Sequence, residues 1–210
     1  MEYQAIVLAA GNSTRSGLQY NKVLFELNKT PIIYLSTKNF IDDLSCNKIF
    51  VVCKEADLKA LQKIFENVDK IEYVIGGETR QESVYNALKL VDSEYVLIHD
   101  GARPYFTAIL LNRLIAKLKE CDAVIPVWSM TDTVKQVKNG VVVKTIKRDE
   151  LKRVQTPQAF KTSVIVNAHS QAKNNQYTDD SSMVEELTET KVHVIDGEYT
   201  NIKYTFKEDF

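Results

Sequence analysis

Glycine and proline are scarce in this chain. Seven glycines and four prolines stand among 210 residues, or about 3% and about 2%, against usual shares of about 7% and about 5%. This composition excludes collagen-like, linker-type and low-complexity chains. With 44% apolar and 26% charged residues, the chain is typical of a globular protein, and we expect one domain spanning residues 1–210.

Three further absences narrow the class of protein. Neither charge sign is in excess, since 27 Lys and Arg stand against 28 Asp and Glu, and we therefore expect no nucleic-acid partner. No apolar run reaches the roughly 18 residues of a membrane span, so we expect no membrane partner. No signal-peptide pattern opens the chain, so we expect a cytoplasmic location. The three cysteines lack metal-ligand spacing and fit a reducing compartment.

Strand and helix patterns alternate from the N-terminus onwards. Stretches with helical spacing separate β-rich runs at 3–9, 48–53, 71–75, 94–98 and 123–127. This alternation predicts an α/β fold with a mostly parallel sheet and helices on both faces. Downstream, we expect a helix capped by Thr162, a second helix at 181–187, and β-runs at 191–195 and 201–205.

A hairpin interrupts this alternation. Residues 132–147 contain two alternating β-runs around Asn139-Gly140. Asn-Gly between β-runs is a strong hairpin signal, because a type I′ turn needs a positive φ at both central positions. We therefore expect an arm at 129–152 that projects from the domain.

The loop after the first predicted strand is a candidate phosphate site, because ligands of open α/β sheets bind at the carboxyl ends of strands. It consists of residues 8–17 (LAAGNSTRSG) and is followed by Lys22. Its small residues let backbone N–H groups approach phosphate oxygens, and Arg15 and Lys22 add two cations, which suits a triphosphate. The alternative is a small-residue turn with solvated charges.

Two later loops carry further candidates. Gly76-Gly77 and the polar residues through Ser83 could recognise a base edge; the alternative is a glycine turn in which Thr79 caps a helix. In residues 99–104 (HDGARP), Asp100 stands where Mg²⁺ would bind beside a phosphate site. Arg103 would bind an acceptor phosphate or hold Asp100, and the alternative is a buried Asp–Arg pair next to a structural histidine.

Seven segments, taken in order, resemble the cytidylyltransferases of isoprenoid precursor synthesis that act on 2-C-methyl-D-erythritol 4-phosphate. They are LAAGNSTRS…NK, GGETRQESV, HDGARP, Asp132-Thr133, Arg148 with Thr156-Pro157-Gln158, Thr178-Asp179-Asp180 and Asn201-Ile202-Lys203. The similarity implies a Rossmann-like fold of the nucleotide-diphospho-sugar transferase type. It also implies transfer of CMP from CTP to the phosphate of that polyol phosphate, with release of pyrophosphate.

The resemblance assigns roles to the matching residues. The implied catalytic cations are Arg15, Lys22 and Lys203, and the implied ligand of Mg²⁺ (or another divalent cation) is Asp100. The implied nucleotide-binding residues are Ala9, Ala10, Gly11, Gly77, Glu78, Ser83, Asp100 and Gly101. The implied acceptor-binding residues are Arg103, Thr133, Arg148, Thr156 and Thr178. Arg148 would reach from the arm into the partner subunit's site, which makes the arm the expected contact of a homodimer.

The chain departs from the family pattern at several of these positions. Ser13 replaces a glycine, so the loop needs either a negative φ there or backbone strain. Ser16 replaces a methionine and Asn21 a proline. Gly101 replaces an alanine, for which we expect a looser contact with the ribose.

Three alternative functions compete with this one. Ribitol-5-phosphate cytidylyltransferases share the fold, the CTP loop and the TPQ segment, but tend towards HDSVRP and lack the TDD-S-VE run. A non-catalytic nucleotide-binding relative should have lost one of Arg15, Lys22, Asp100 or Lys203, and all four are present. A dinucleotide-binding oxidoreductase would need a GxGxxG turn, which the first loop lacks.

Overall fold

The structure is a computed structural model that describes residues 1–14, 16–173 and 177–210. Its helices are α1 (Ile32–Asp42), α2 (Leu58–Ile64), α3 (Arg80–Leu88), α4 (Ala108–Leu118), α5 (Thr162–Gln171) and α6 (Asp180–Leu187). Its strands are β1 (Tyr3–Leu8), β2 (Glu26–Leu27), β3 (Thr30–Pro31), β4 (Cys46–Cys53), β5 (Ile71–Ile75), β6 (Tyr95–Asp100), β7 (Ala123–Ser129), β8 (Val134–Lys138), β9 (Val141–Ile146), β10 (Lys152–Val154), β11 (Gln158–Lys161) and β12 (His193–Asp196).

The main sheet has the strand order β5-β4-β1-β6-β11-β7-β10, and β12 pairs with β7. Strand β1 lies at its centre, where Val7 is in parallel register with Val51 of β4 and His99 of β6. Strands β10 and β11 run antiparallel to their neighbours. The predicted mostly parallel sheet is therefore confirmed.

Helices cover both faces of this sheet because its central strands are apolar on both sides. In β1, Val7 packs in a core with α1, α2 and α4, whereas Ile6 packs in a second core with α3, α5 and α6. Both side chains are fully buried. Burial of such a side chain contributes about 1.5–3 kcal/mol, so the two cores fix the strand ends and the loops that follow them.

The predicted hairpin is present, and its strands β8 and β9 form a separate two-stranded sheet. Asn139 has φ 51° and Gly140 has φ 77°, as a type I′ turn requires. Four valines of the arm are more than half exposed: Val137, Val141, Val142 and Val143. Lys152 pairs with Ser129 at the arm's base, so the hairpin leaves the main sheet between β7 and β10.

The structure corrects two sequence expectations. Helix α5 has Lys161 rather than Thr162 as its N-cap residue, because the chain passes directly from β11 into the helix and the backbone N–H of Thr162 bonds to Glu94. Residues 201–205 form no strand; instead the N–H of Tyr204 bonds to the carbonyl of Ala102. This segment therefore packs against the loop after β6.

None of the helices in the described ranges is both long enough and apolar enough to cross a lipid bilayer.

Candidate active site

A cavity of about 310 Å³, here called cavity A, opens at the carboxyl ends of β1 and β6. The loop after β1, the turn before α3 and the loop after β6 enclose it, as expected for ligand sites of open α/β sheets. Nine of the predicted site residues line it: Ala10, Gly11, Lys22, Gly77, Glu78, Ser83, Asp100, Gly101 and Lys203. The three loops identified from sequence therefore form one site.

The loop after β1 is held together by Ser13. Ser13 has φ 52°, so this non-glycine residue adopts the strained, left-handed conformation. Its hydroxyl oxygen accepts a hydrogen bond from the backbone N–H of Lys22 at 2.9 Å, and its carbonyl accepts one from the Ser16 hydroxyl at 2.7 Å. These bonds offset the strain and fix the backbone of Lys22 at the cavity. Arg15, the other predicted cation of this loop, lies outside the described residues.

Ala9 lies behind cavity A and does not line it. The residue is fully buried. Its N–H donates to the carbonyl of Val52, and its carbonyl accepts a bond from the side-chain amide of Asn21. Ala9 therefore anchors the loop to β4 and to the segment before Lys22.

The turn before α3 is organised by a capping box. The Thr79 hydroxyl accepts a bond from the N–H of Glu82, and the Glu82 carboxylate accepts one from the N–H of Thr79. The N–H of Gly77 donates to the Ser83 hydroxyl at 3.1 Å, and the N–H of Glu78 donates to Glu82 at 2.9 Å. Thr79 thus caps the helix, as the alternative interpretation held, and the same bonds pre-organise the cavity wall.

Gly101 allows the loop after β6 to approach β1 closely. A Cβ atom at this position would lie 2.6 Å from the carbonyl oxygen of Leu8 and 2.8 Å from Cδ1 of Ile33. The Gly101 N–H donates to that same carbonyl at 2.9 Å. The alanine of the family pattern would require this backbone to move.

Three cations surround the Asp100 carboxylate. Its Oδ2 lies 2.8 Å from Lys203 Nζ and 3.5 Å from Arg103 Nε, and its Oδ1 lies 3.8 Å from Arg80 Nε. Burial would raise the pKa of this carboxyl group, but the positive charges around it, with Lys203 contributing most, hold the pKa well below its usual range. Asp100 is therefore an anion that positions cations at the cavity.

His99 is a buried structural residue, as the alternative interpretation held. The Thr156 hydroxyl accepts a bond from the Asp100 N–H at 3.0 Å and therefore donates to His99 Nδ1 at 2.9 Å. His99 Nε2–H then donates to the Arg103 carbonyl at 3.1 Å. Burial lowers the pKa of His99 to about 3, which keeps the imidazole neutral between these partners.

Arg103 points into the protein from the loop after β6. Its Nη1 donates to the Asn201 carbonyl at 2.8 Å, and its Nε faces Asp100. Burial, opposed by the charge of Asp100, lowers the pKa of its guanidinium. The predicted alternative of a buried Asp–Arg pair is thus present, and Arg103 ties the segment of Lys203 to this loop.

A second cavity of about 370 Å³, here called cavity B, adjoins cavity A. Three predicted acceptor-binding residues line it: Arg103, Thr156 and Thr178. Asp179 is the N-cap residue of α6, because its carboxylate accepts the Ser182 N–H. Asp179 also accepts a bond from the Gln158 side chain at 2.6 Å, which fixes the start of α6 against β11.

Thr133 and Arg148, the remaining predicted acceptor residues, line neither cavity of their own chain. Arg148 lies at the base of the arm, where its Nη1 donates to the carbonyl of Thr131 at 2.9 Å. Within this chain, the structure therefore does not bring Thr133 and Arg148 together with Arg103, Thr156 and Thr178.

Sequence reasoning assigned no role to several residues of cavity B, among them Arg80, Gln158, Asp179 and Glu185. Arg80 lines both cavities. One sequence feature could have indicated Arg80 as a site residue: it lies in GGETRQESV, in the first turn of a helix that follows the end of a strand. Its partners are 20 and 100 residues away in sequence, so no local pattern indicates them.

Two cavities thus share a wall formed by Arg80, Asp100 and Lys203. Small residues and backbone groups line cavity A beside Lys22, which suits a nucleotide with several phosphates. If cavity B bound a second anion, the cations Arg80 and Lys203 of the shared wall would lie between that anion and the nucleotide phosphates in cavity A. Charge neutralisation between two bound phosphates is what phosphoryl and nucleotidyl transfer require.

Comparisons with known proteins agree with this geometry. The sequence model of the 2-C-methyl-D-erythritol 4-phosphate cytidylyltransferase family matches residues 3–210. A protein of that name from Bacillus thuringiensis (strain Al Hakam) is 39% identical over 213 residues, covering 99% of this chain and 94% of the relative.

Two solved structures are similar over the same extent. The 4-diphosphocytidyl-2C-methyl-D-erythritol synthase of Anaerococcus prevotii DSM 20548 has a TM-score of 0.88 and 33% identity, covering 99% of this chain and 94% of its own. The 2-C-methyl-D-erythritol 4-phosphate cytidylyltransferase of Francisella tularensis has a TM-score of 0.84 and 31% identity, covering 100% and 96%.

Proposed function

This chain belongs to the 2-C-methyl-D-erythritol 4-phosphate cytidylyltransferase family, and on this premise we propose that cavity A binds CTP while cavity B binds the polyol phosphate. The chain is a nucleotidyltransferase that transfers the CMP unit of CTP to the phosphate of 2-C-methyl-D-erythritol 4-phosphate, a step of isoprenoid precursor synthesis. The observation that carries the placement is the wall of Arg80, Asp100 and Lys203 shared by both cavities.

The reaction joins two anions, so cations must lower its barrier. An oxygen of the acceptor phosphate forms a bond to the α-phosphorus of CTP, the bond from that phosphorus to the β-bridging oxygen breaks, and pyrophosphate leaves with the electron pair. Fixed cations stabilise the charge that develops on the transferring group. Lys22 in cavity A and Lys203 in the shared wall are placed to do so, and Arg15 belongs to the same loop as Ser13.

Asp100 keeps Lys203 at the shared wall. The ion pair of 2.8 Å joins the end of β6 to the segment after β12, and the Arg103 bond to Asn201 holds the same segment from the other side. A side chain held in place before the substrate arrives loses little freedom in the transition state. Contacts within this chain therefore hold Lys203, the third catalytic cation that the resemblance implies, at the shared wall.

The turn before α3 would bind the cytosine base. Cytosine presents an amino donor, and the N–H groups of Gly77 and Glu78 are engaged within the turn. Carbonyl groups of this turn and of Ala10 would therefore accept the base's amino hydrogens. Ser83, whose hydroxyl holds Gly77, contributes by shaping the turn.

Asp100 also fits a divalent cation. Mg²⁺ commonly binds one or two carboxylates together with substrate phosphates, and Oδ1 of Asp100 has Arg80 Nε as a neighbour at 3.8 Å, beyond hydrogen-bonding distance. Across the described ranges, no cluster of three or more His, Cys, Asp or Glu could hold a metal, so the phosphates of CTP would supply most ligands. When bound, the ion would neutralise phosphate charge.

A homodimer would complete cavity B. Thr133 and Arg148 stand on or beside the arm and line neither cavity of their own chain, and the valines of the arm are exposed. Packing of this apolar arm on a second chain would bury the valines and bring Arg148 to the partner's acceptor. We place this reaction in the cytoplasm, where the free cysteines would stay reduced.

Family membership favours the methylerythritol phosphate over the competing acceptors. The relatives from Bacillus thuringiensis and Francisella tularensis carry that substrate in their names, and the matches cover 99% and 100% of this chain. A non-catalytic relative is disfavoured because Lys22, Asp100 and Lys203 meet at cavity A. Ribitol 5-phosphate remains the best competing acceptor.

Pyrophosphate release is the assay that tests this function. The chain, CTP and Mg²⁺ are incubated with 2-C-methyl-D-erythritol 4-phosphate or with ribitol 5-phosphate. We expect rapid release with the former and a kcat/KM lower by about 100-fold or more with the latter, as for sites that hydrogen-bond their substrate's hydroxyls. Preference for ribitol 5-phosphate, or no release with either, would contradict the assignment.

A further inference from the structure

Arg80 connects elements that are far apart in the sequence. It is the first residue of α3, and its backbone is fixed by the capping box of Thr79 and Glu82. Its guanidinium reaches Asp180 at the start of α6 through Nη2 at 2.7 Å, and Asp100 at the end of β6 through Nε at 3.8 Å. One planar cation therefore lies between a carboxylate at the end of β6 and a buried carboxylate at the start of α6.

The buried negative charge of Asp180 is stabilised by the Arg80 guanidinium. The carboxylate is fully buried, and a buried carboxylate without a partner is costly. Its Oδ2 accepts the Arg80 bond, while its Oδ1 faces His169 Nε2 at 3.8 Å. Burial would raise the pKa of Asp180, but the charge of Arg80 lowers it. Arg80 thus holds the first turn of α6 in its place.

That first turn builds cavity B. Thr178 and Asp179 immediately precede Asp180, and both line the cavity. Asp179 in turn binds Gln158 of β11. A shift of Asp180 would therefore move the part of the cavity that faces the acceptor.

The same guanidinium sets the orientation of Asp100. Lys203 and Arg103 both approach Oδ2 of Asp100, whereas Arg80 approaches Oδ1. The charge of Arg80 on the Oδ1 side and the Lys203 contact on the Oδ2 side therefore favour one orientation of the carboxylate. A lysine presents one compact ammonium charge and could not bond Asp180 as Arg80 Nη2 does at 2.7 Å while a second nitrogen of the same plane faces Asp100.

We propose that Arg80 is a positioning residue that couples the acceptor cavity to the catalytic wall, by holding the start of α6 and the Asp100–Lys203 pair in one arrangement. The proposal rests on the function proposed above. Arg80 acts through Asp100 and Asp180, and CTP is held mainly by other groups, the loop after β1 and the turn before α3. Loss of Arg80 should therefore raise the KM for the acceptor and lower kcat, while CTP binding changes little.

The test compares Arg80→Lys, Asp180→Asn and the double variant with the wild type. Pyrophosphate release by the wild type establishes the reaction independently, so a failure of the proposed function is seen before any variant is assayed. Steady-state kinetics give kcat and both KM values, calorimetry gives the affinity for CTP, and thermal unfolding reports the fold. Arg113→Lys is the matched control, since Arg113 pairs with Glu198 at 3.8 Å outside cavities A and B.

We expect Arg80→Lys to reduce kcat/KM for the acceptor by about 10- to 100-fold, the usual size of a positioning loss, and to change CTP affinity by less than about threefold. Asp180→Asn should act in the same direction, and the double variant should lose less than the product of the single losses, because both break one unit. Wild-type kinetics in folded Arg80→Lys, equal losses for both substrates, or multiplicative losses in the double variant would each overturn the proposal. Arg113→Lys should leave all parameters unchanged.

Discussion

Lys203 Nζ lies 2.8 Å from Asp100 Oδ2, although the two residues are separated by about half of the chain. Both residues line cavity A and cavity B and thus form part of the wall between them. Because Asp100 is largely buried and Lys203 is about one-third exposed, the pair places a cation at the site while the carboxylate stays ionised. Its position makes Lys203 both a catalytic candidate and a structural tie.

Replacement of Lys203 by Met should therefore affect turnover far more than stability. We expect kcat to fall by about 100-fold or more, the usual cost of losing a transition-state contact. The free energy of unfolding should fall by only about 1 kcal/mol, because the exposed lysine is screened by solvent. Kinetics and urea unfolding measure the two effects. Lys38→Met, which removes a surface ion pair with Asp42, should retain full turnover.

The dimer proposal predicts that Arg148 serves the partner's site. Arg148→Met should raise the KM for the acceptor about tenfold or more and leave CTP binding intact, since it removes a charged contact to one substrate only. Lys147→Met, at the neighbouring exposed position, is the control.

Mixed dimers separate this role from a structural one. At an acceptor concentration below the wild-type KM, Arg148→Met chains alone should keep at most about a tenth of wild-type activity and Lys22→Ala chains alone very little. The two chains, unfolded and refolded together at equal amounts, should then reach about a quarter of wild-type activity, because half of the dimers contain one complete site. No recovery would show that Arg148 does not act across the interface.

The buried His99 predicts a loss of stability in mild acid. Its pKa is lowered to about 3 by burial, so the unfolded chain gains a proton below about pH 6.5 that the folded chain does not. This contribution is fully present above pH 6.5 and is lost as the pH falls towards 3. It should amount to about 2 kcal/mol between pH 7.5 and pH 5. Urea unfolding at both pH values measures the change, and His99→Asn should reduce it.

Gly101→Ala restores the family residue but should destabilise this chain. The added Cβ would lie 2.6 Å from the Leu8 carbonyl oxygen, so the loop after β6 must move away from β1. We expect a loss of about 1–3 kcal/mol in the free energy of unfolding, as for overpacked sites. Gly11→Ala is the matched control, since nothing lies within 4 Å of its added Cβ. An unchanged stability in Gly101→Ala would show that the loop relaxes at little cost.

The fold and the three loops of cavity A could be predicted from sequence because they depend on local patterns. Apolar runs place the strands, and the loops that follow parallel strands must meet at one edge of the sheet. Strands β10 and β11 were not predicted, because segments of three and four residues carry too little periodicity. The strand expected at 201–205 was wrong because tertiary contacts with the loop after β6 replaced ladder bonds.

The side-chain network of the site could be predicted only in part. The resemblance indicated Lys22, Asp100 and Lys203, which do line one cavity. The ion pairs of Arg80 with Asp100 and Asp180 could not be predicted, because long-range ion pairs have no signature in one sequence. Thr133 and Arg148 on the arm were a different case, since they line neither cavity of their own chain and only the proposed dimer would give them a site.

The fate of the α-phosphate tests the central claim most directly. The chain is incubated with Mg²⁺, 2-C-methyl-D-erythritol 4-phosphate and CTP labelled either at the α- or at the γ-phosphate, and the products are separated. The account predicts that the α-label enters the cytidylylated polyol phosphate and the γ-label enters pyrophosphate. Transfer of the γ-label to the polyol, or release of labelled CMP without a polyol adduct, would contradict attack on the α-phosphorus across the wall of Arg80, Asp100 and Lys203.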